Sequence, residues 1–415
     1  MANEANRTTQ AALLRTVYRP KMRRQFNLMS ILLQYLTRNT TSSFAEGSQI
    51  SISLHTGKSG GRGFSSAGDI PDSDYQKVER VQFNYARMYG KIRISRAMMH
   101  SSSNVPVSAE ARVYDLETSN LVKQLRHMLN FHLFGDGSGK VASIVTAPSA
   151  TTFTVDDVRG IDDGARYDVL LIASGADGAG VRGATIRVNT QTKLCTIVGG
   201  KQFADGTGAG VNAAPTTYAL YENASYNDAV LGLDAAISTA NPPLGNYGGL
   251  DRTLGANQFW QGNVLNNAGA PRRINFPLIS EACDQVERYS AGHPNLIICG
   301  YEVFRQLMNE LVAARRIENS TKKLNGWATA IMFDDKPIVR DKHCDPTKMY
   351  VLDTAHWELF QDSEGDWIDE DGAILCRVPG KDAMEAAWSR YLQPVCCAPN
   401  TQAVITDLDA TPVVA

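Results

Sequence analysis

"QVERYSAGHPNLIICGYEVFRQL", residues 285–307, switches its apolar spacing twice. It opens inside "FPLISEACDQVERYSAG" (276–292), whose apolar positions fit a helix that Gly292 and Pro294 bring to an end. "NLIICG" (295–300) is a continuous apolar run of strand length, and "YEVFRQLMNELVAARR" (301–316) then sets Phe304, Leu307, Met308 and Leu311 on one helical stripe. Around this core, "NDAVLGLDAAISTA" (227–240) reads as a helix stopped by Pro242-Pro243. "ATAIMF", "KPIVRD" and "KMYVLD" read as strands, "ELFQDSEGDWIDEDGAILCRV" (358–378) as an acidic hairpin, and "MEAAWSRYLQPVCCA" and "TQAVITDL" as closing strands. The region from 223 onward is therefore α/β.

Toward the N-terminus the period changes. From Ser108, the residues Val113, Leu116, Leu121, Leu125, Met128, Leu129 and Leu133 recur at helical spacing, with Pro106 before and a glycine-rich turn at 135–139 after. One long helix of roughly 40 Å follows from 1.5 Å per residue. Between 141 and 222, β-like runs "TTFTV", "ARYDVLLIAS", "RGATIRVN", "KLCTIVGG" and "TTYALYE" alternate with glycine-rich turns, which marks a β insertion. Before the helix, "SQISISLHT" and "KVERVQFNYARMYGKIRIS" read as strands flanking "HTGKSGGRGFSSAG" (55–68), a loop longer than a compact domain needs. In the second stretch Val81, Phe83 and Tyr85 and then Ile92 and Ile94 alternate. Residues 1–24 carry Arg7, Arg15, Arg19, Lys21, Arg23 and Arg24 against Glu4 alone, and the apolar-rich "FNLMSILLQYL" follows. They read as an arm, either a solvated terminal helix or a segment ordered only by docking on a neighbour or an assembly factor.

The 415 residues are 43% hydrophobic, which allows more than one core, and 41 basic against 43 acidic side chains give a net charge of −2. That balance excludes a dedicated nucleic-acid binder with a strongly basic face; any DNA contact is weak or local. Seven cysteines contain no C-x-x-C pair and cannot all be paired within the chain, which suits a reducing site of synthesis. No apolar run is long enough to span a membrane, and the polar start lacks a secretory core.

Several motif fragments lack the context their chemistry needs. Gly57-Lys58-Ser59 ends like a phosphate-binding loop, but Ile52 stands where the first glycine belongs, and Gly60, Gly61 and Gly63 oppose the helix that either this loop or a Ser59 nucleophile elbow requires. Gly178-x-Gly180-x-x-Gly183 follows a strand yet runs into "ATIRVN", a further strand rather than the helix a pyrophosphate site needs. Aligning "DSEGDWIDEDG" (362–372) on a calcium loop puts Trp367 and Val378 at ligand positions, and His343-Cys344 and Cys396-Cys397 lack zinc spacing. No catalytic, cofactor-binding or metal residue is assigned, and a hydrolase or nucleotide-binding enzyme is the distant rival reading.

The order of these segments resembles that of the major capsid proteins of tailed double-stranded DNA bacteriophages, a fold shared with encapsulin shells and the herpesvirus capsid floor. The last third carries the likeness most strongly: "QVERYSAGHP" with "NLIICGYEVFRQL", then "DDKPIVRDKHCDPTKMYVLDTAHWEL", then "DAMEAAWSRYLQPVCCAPNTQAVITDL" with Arg390 in mid-strand and Pro394 after it. The resemblance implies an α+β tailed-phage major capsid fold: N-terminal arm (1–48), extended two-stranded loop (49–105), spine helix of a peripheral domain (106–140), axial α/β domain (223–375), closing strands and tail (376–415). The β-rich insertion (141–222) departs from the minimal pattern.

The implied function is a structural, non-enzymatic subunit that self-assembles into the pentamers and hexamers of an icosahedral head around packaged double-stranded DNA. An encapsulin-type nanocompartment shell is the alternative. Implied inter-subunit contacts are Gly57, Lys58, Gly61, Arg62 and Phe64 at the loop tip, and Arg15, Arg19, Lys21, Arg23 and Arg24 on the arm toward a neighbour or a scaffold. Lys58 sits in the loop where some relatives form a lysine–asparagine isopeptide bond; it reads here as a solvated lysine. With the spine helix starting near 108, a separate scaffolding protein is expected. Further expected partners are a portal protein, a decoration protein and weak, non-specific contact with the packaged DNA. No cofactor and no membrane are involved, and the expected location is the virion capsid, assembled in the host cytoplasm.

Overall fold

The computed structural model describes residues 31–39, 49–57, 64, 75–95, 108–176, 178, 180–203, 211, 214–290, 292–313, 321–322, 330–361, 365–369, 374 and 376–411. The chain divides into two discontinuous units. The first gathers 1–36, 86–232 and 361–392, the second 37–85, 233–360 and 393–415.

In the first unit, a 25-residue helix, Ser108–His132, runs as the long periodicity requires. Leu121, Val122, Leu125, Leu129 and Leu133 are buried, matching its three-and-four spacing. Strand β4 (Ala86–Ser95) lies against it, and the close approach occurs at Gly90, where a Cβ would come within 2.8 Å of Leu125 and 2.9 Å of Leu121. Strand β20 (Ala383–Cys396) pairs antiparallel with β4 from Ala383 opposite Ser95 to Leu392 opposite Ala86.

Two short strands, β18 (Asp366–Trp367) and β19 (Cys376–Arg377), also pair with β20. The acidic stretch is therefore not a hairpin closed on itself. Trp367 lies opposite Trp388 of β20, and Gly365, at φ +93°, has no room for a Cβ beside the Trp388 ring. Burial of these indoles decides the pairing.

The insertion is a closed barrel of six antiparallel strands in the order β10-β5-β6-β9-β8-β7. They are β5 (Lys140–Thr146), β6 (Thr152–Val155), β7 (Arg166–Leu171), β8 (Val181–Asn189), β9 (Leu194–Val198) and β10 (Tyr218–Glu222). Strand β5 was absent from the sequence reading; Val141 and Ile144 are buried but three apart, a spacing that matches no strict alternation. Inside sits a core of its own, including Phe153, Tyr167, Val169, Ile186, Cys195, Phe203 and Leu220.

The two ends of the barrel segment meet. Lys140 pairs with Tyr221, the Glu222 amide donates to the Gly139 carbonyl at 3.1 Å, and the Asn227 amide donates to the Ser138 carbonyl at 2.8 Å. Gly139 makes this closure possible, since its φ is +75° and a Cβ would sit 2.0 Å from the Ser225 carbonyl oxygen.

The second unit is built on a seven-stranded mixed sheet, β11-β21-β16-β12-β15-β14-β13. Its centre is β12 (Leu296–Cys299), buried on both faces, parallel to β15 (Lys336–Arg340) and antiparallel to β16 (Met349–Leu352). Beside these stand β14 (Ala330–Phe333), β13 (Thr321–Lys322), β21 (Ala403–Ile405) and β11 (Asn263–Leu265).

Helices Phe276–Tyr289 and Tyr301–Ala313 supply Ile279, Ala282, Val286, Val303, Phe304 and Leu307 to the same core. Burial of each large side chain stabilises by about 1.5–3 kcal/mol. The first helix starts as its sequence demands: the Asn275 side chain accepts from the Leu278 amide at 2.9 Å, a cap that contributes about 1 kcal/mol. Strand β1 (Thr37–Asn39) runs parallel to β17 (Trp357–Gln361) over Glu358–Phe360.

The helix expected over 227–240 is reduced to Leu233–Ala236. The carbonyls of Ala235 and Ala236, which a longer helix would use internally, accept instead from the fully buried Arg252 guanidinium at 2.7 and 2.8 Å. Asp234 is held by Lys348 Nζ at 2.6 Å and the Tyr350 hydroxyl at 2.7 Å. Side chains distant in sequence thus fix a segment whose local pattern alone favours more helix.

Candidate assembly surface

Strands β2 (Gln49–Gly57) and β3 (Lys77–Asn84) form a two-stranded antiparallel ribbon. The base of the ribbon is anchored. Ile50 pairs with Phe83 and Ile52 with Val81, and Ile50, Val81 and Phe83 are buried. Phe83 meets Tyr247 edge to face at 4.9 Å, and Gly248, at φ +64°, leaves space that a Cβ would fill at 2.8 Å from Phe83.

Tyr247 is itself locked. Its hydroxyl accepts from the Cys396 amide at 3.0 Å, its carbonyl from Trp260 Nε1 at 2.7 Å, and Arg252 stacks on its ring at 4.4 Å. Burial drives the Tyr247 phenol far above its ordinary range, so it stays a neutral hydrogen-bonding anchor.

Beyond Ile52 and Val81 the ribbon changes character. Every residue from Ser53 to Gly57 and from Lys77 to Arg80 is half-buried or exposed. Three large apolar side chains lie toward the tip in water: Val78 at 53%, Tyr75 at 88% and Phe64 at 112% exposure. Among the described residues each ribbon strand pairs only with the other, which leaves each with one outer edge that no described strand covers. A two-stranded ribbon of this kind is marginal by itself and gains from a further strand or a packed face.

Of the loop-tip residues expected from the sequence, Gly57 ends β2 opposite Lys77, where a Cβ would stand 3.1 Å from Lys77 Cβ, and Phe64 is exposed. Lys58, Gly61 and Arg62, and the arm residues Arg15, Arg19, Lys21, Arg23 and Arg24, lie outside the described residues. Tyr75 and Val78 were missed by the sequence reading. Val78 carried a signal, since it falls out of phase with Val81 and Phe83 and must face the other way.

Gly183 of the glycine motif lies within strand β8, with no helix after it, as its context in the sequence required. Among the described residues no three His, Cys, Asp or Glu side chains converge as a metal would require. At the barrel's closure, burial and then the nearby Asp162 and Asp168 carboxylates push Glu222 up to about 8. Asp168 accepts from the Gly183 and Ala224 amides at 2.6 and 2.8 Å, and Asp162 faces His127 Nδ1 at 3.1 Å.

No family model matches the chain, and no curated protein is detectably similar in sequence. Solved structures do match. The capsid asymmetric unit of Cyanophage A-1(L) is 13% identical, superposes over 91% of this chain and 93% of its own, and has a TM-score of 0.53. The holo-SrpI encapsulin complex of Synechococcus elongatus PCC 7942 is 10% identical over 94% and 91%, at 0.46. The capsid of Myoviridae phage XM1 is 6% identical over 92% of each chain, at 0.45. The assignment rests on the first of these together with the element order above: the chain has the tailed-phage major capsid fold.

Proposed function

We propose that this chain is a shell-forming subunit, structural rather than catalytic, whose copies assemble as pentamers and hexamers into an icosahedral head around packaged double-stranded DNA. The observation that carries the reading is agreement with a phage capsid subunit over nine-tenths of both chains. The ribbon supports it, since Phe64 and Val78 are exposed in the isolated subunit and gain burial against another surface. Repeated modest contacts between identical copies multiply through effective concentration, so no single interface need be large.

On this reading the tip from Gly57 to Phe64 and the basic arm lie on neighbouring subunits or a separate scaffolding protein. A portal protein and a decoration protein complete the partners, and the protein resides in the virion head after assembly in the host cytoplasm. Negative-stain microscopy of the chain expressed with its neighbouring genes tests it: hollow or DNA-filled icosahedral particles are expected, and a solitary monomer at high concentration overturns it. Particles filled with one enzyme instead of nucleic acid would identify the encapsulin-type alternative.

A further inference from the structure

Strand β4 alternates strictly. Met88, Gly90, Ile92 and Ile94 are buried, while Arg87, Tyr89, Lys91 and Arg93 are exposed on the opposite face. Register with β20 places Tyr391 beside Arg87, Ala387 beside Lys91 and Glu385 beside Arg93 on that exposed face. Tyr89 and Tyr391 stand edge to face at 6.3 Å, and the Tyr89 hydroxyl hydrogen-bonds with both Tyr391 and Arg87.

Two carboxylates share the face. Glu385 pairs with Lys91 at 2.7 Å, and Asp366 lies opposite Ser389. Arg87 and Arg93 form no ion pair among the described residues. The row is a local cationic strip on a chain of net charge −2.

We infer that this face, Arg87, Tyr89, Lys91 and Arg93 with Tyr391, binds the phosphate backbone of duplex DNA without reading its sequence. The inference rests on the proposed shell function, which supplies the duplex. Alternate residues on a strand are about 6.8 Å apart, so Arg87 to Arg93 spans about 20 Å, a length of duplex axis that carries roughly twelve phosphate charges at one per about 1.7 Å. Its composition also selects the partner: protein interfaces have apolar centres depleted in charge, whereas nucleic-acid interfaces are polar and positive. Here Tyr89 is the one large exposed apolar side chain on β4, set among cations.

The test uses the full-length chain and a fluorescein-labelled duplex of mixed sequence, followed by anisotropy across a salt series. Three phosphate contacts contribute about 2.7 to the slope of log affinity against log salt. The triple variant Arg87→Gln/Lys91→Gln/Arg93→Gln is expected to bind more weakly with a slope shallower by that amount. Its deficit against the parent then narrows roughly forty-fold between about 50 and 200 mM salt. The exposed barrel variant Arg187→Gln/Lys193→Gln/Lys201→Gln removes the same charge elsewhere and should keep the parental slope.

Equal slopes for parent and strip variant overturn the inference, as does an equal loss in the barrel variant. Tighter binding of the single strand than of the duplex overturns it in favour of base stacking. A strip variant that keeps parental DNA binding but no longer closes shells overturns it in favour of a subunit contact. Absence of shells from the parent would instead sink the proposed function and leave the anisotropy result standing.

Discussion

Phe83 on the ribbon and Tyr247 on the loop beneath it meet edge to face at 4.9 Å, and this contact fixes where the ribbon leaves the second unit. Phe83→Ala should cost about 3–5 kcal/mol of stability, as for other buried phenylalanines. Denaturant unfolding measures the loss, and limited proteolysis should show new cleavage between 49 and 84. Unchanged unfolding with unchanged cleavage would mean the ribbon is held elsewhere.

The tip should behave in the opposite way. Phe64→Ala and Tyr75→Ala remove side chains exposed in the subunit, so stability should stay within about 0.5 kcal/mol of the parent. Assembly should suffer, read as a several-fold rise in the protein concentration at which particles form by light scattering.

Gly139→Ala tests the seam of the barrel. The substitution forces a side chain into a left-handed backbone and against the Ser225 carbonyl, so a loss of at least about 1–3 kcal/mol is expected. Gly199→Ala has a comparable φ of +85° but nothing within 4 Å, so it carries the backbone cost alone and the difference between the two reports the steric part.

Glu222 should make stability depend on pH. Its folded value is raised to about 8 from 4.5, mainly by burial. Between those values the folded state holds a proton that the unfolded state has released. The contribution is thus fully present below about pH 4.5 and is lost as pH rises through about 8, at up to about 1.4 kcal/mol per pH unit. Melting of the parent and of Glu222→Gln at pH 5, 7 and 9 should give curves that diverge as pH rises, with the variant less affected. Parallel curves would show that Glu222 ionises normally.

The long helix, the helix–strand–helix at 276–313 and the closing strands were legible because each combines a clear period with a definite stop. The run from Val81 to Ile94 was legible only in part. Val81 and Phe83 bury odd positions, Met88 to Ile94 bury even ones, and the phase changes between Tyr85 and Ala86, where the chain passes from the second unit to the first. One continuous alternation concealed that change.

The shortened helix after Gly232 was not legible, since Arg252 captures its carbonyls from outside any local window. Barrel closure was likewise hidden, because pairing of β10 with both β5 and β7 is a property of register, not composition. At the candidate surface, the glycine-rich tip stood out in the sequence, whereas the exposed Tyr75 and the cationic row on β4 required knowledge of which face is buried.

The meeting of the barrel's two ends bears on how such a chain can change over time. Because Lys140 lies beside Tyr221, the host polypeptide leaves the helix and resumes its course at almost the same point. A single genetic event could add or remove the whole module without rerouting the strands around it, and with every barrel edge closed the newcomer offers no sticky backbone to its surroundings. Cargo of similar end-to-end span could be grafted at the same seam.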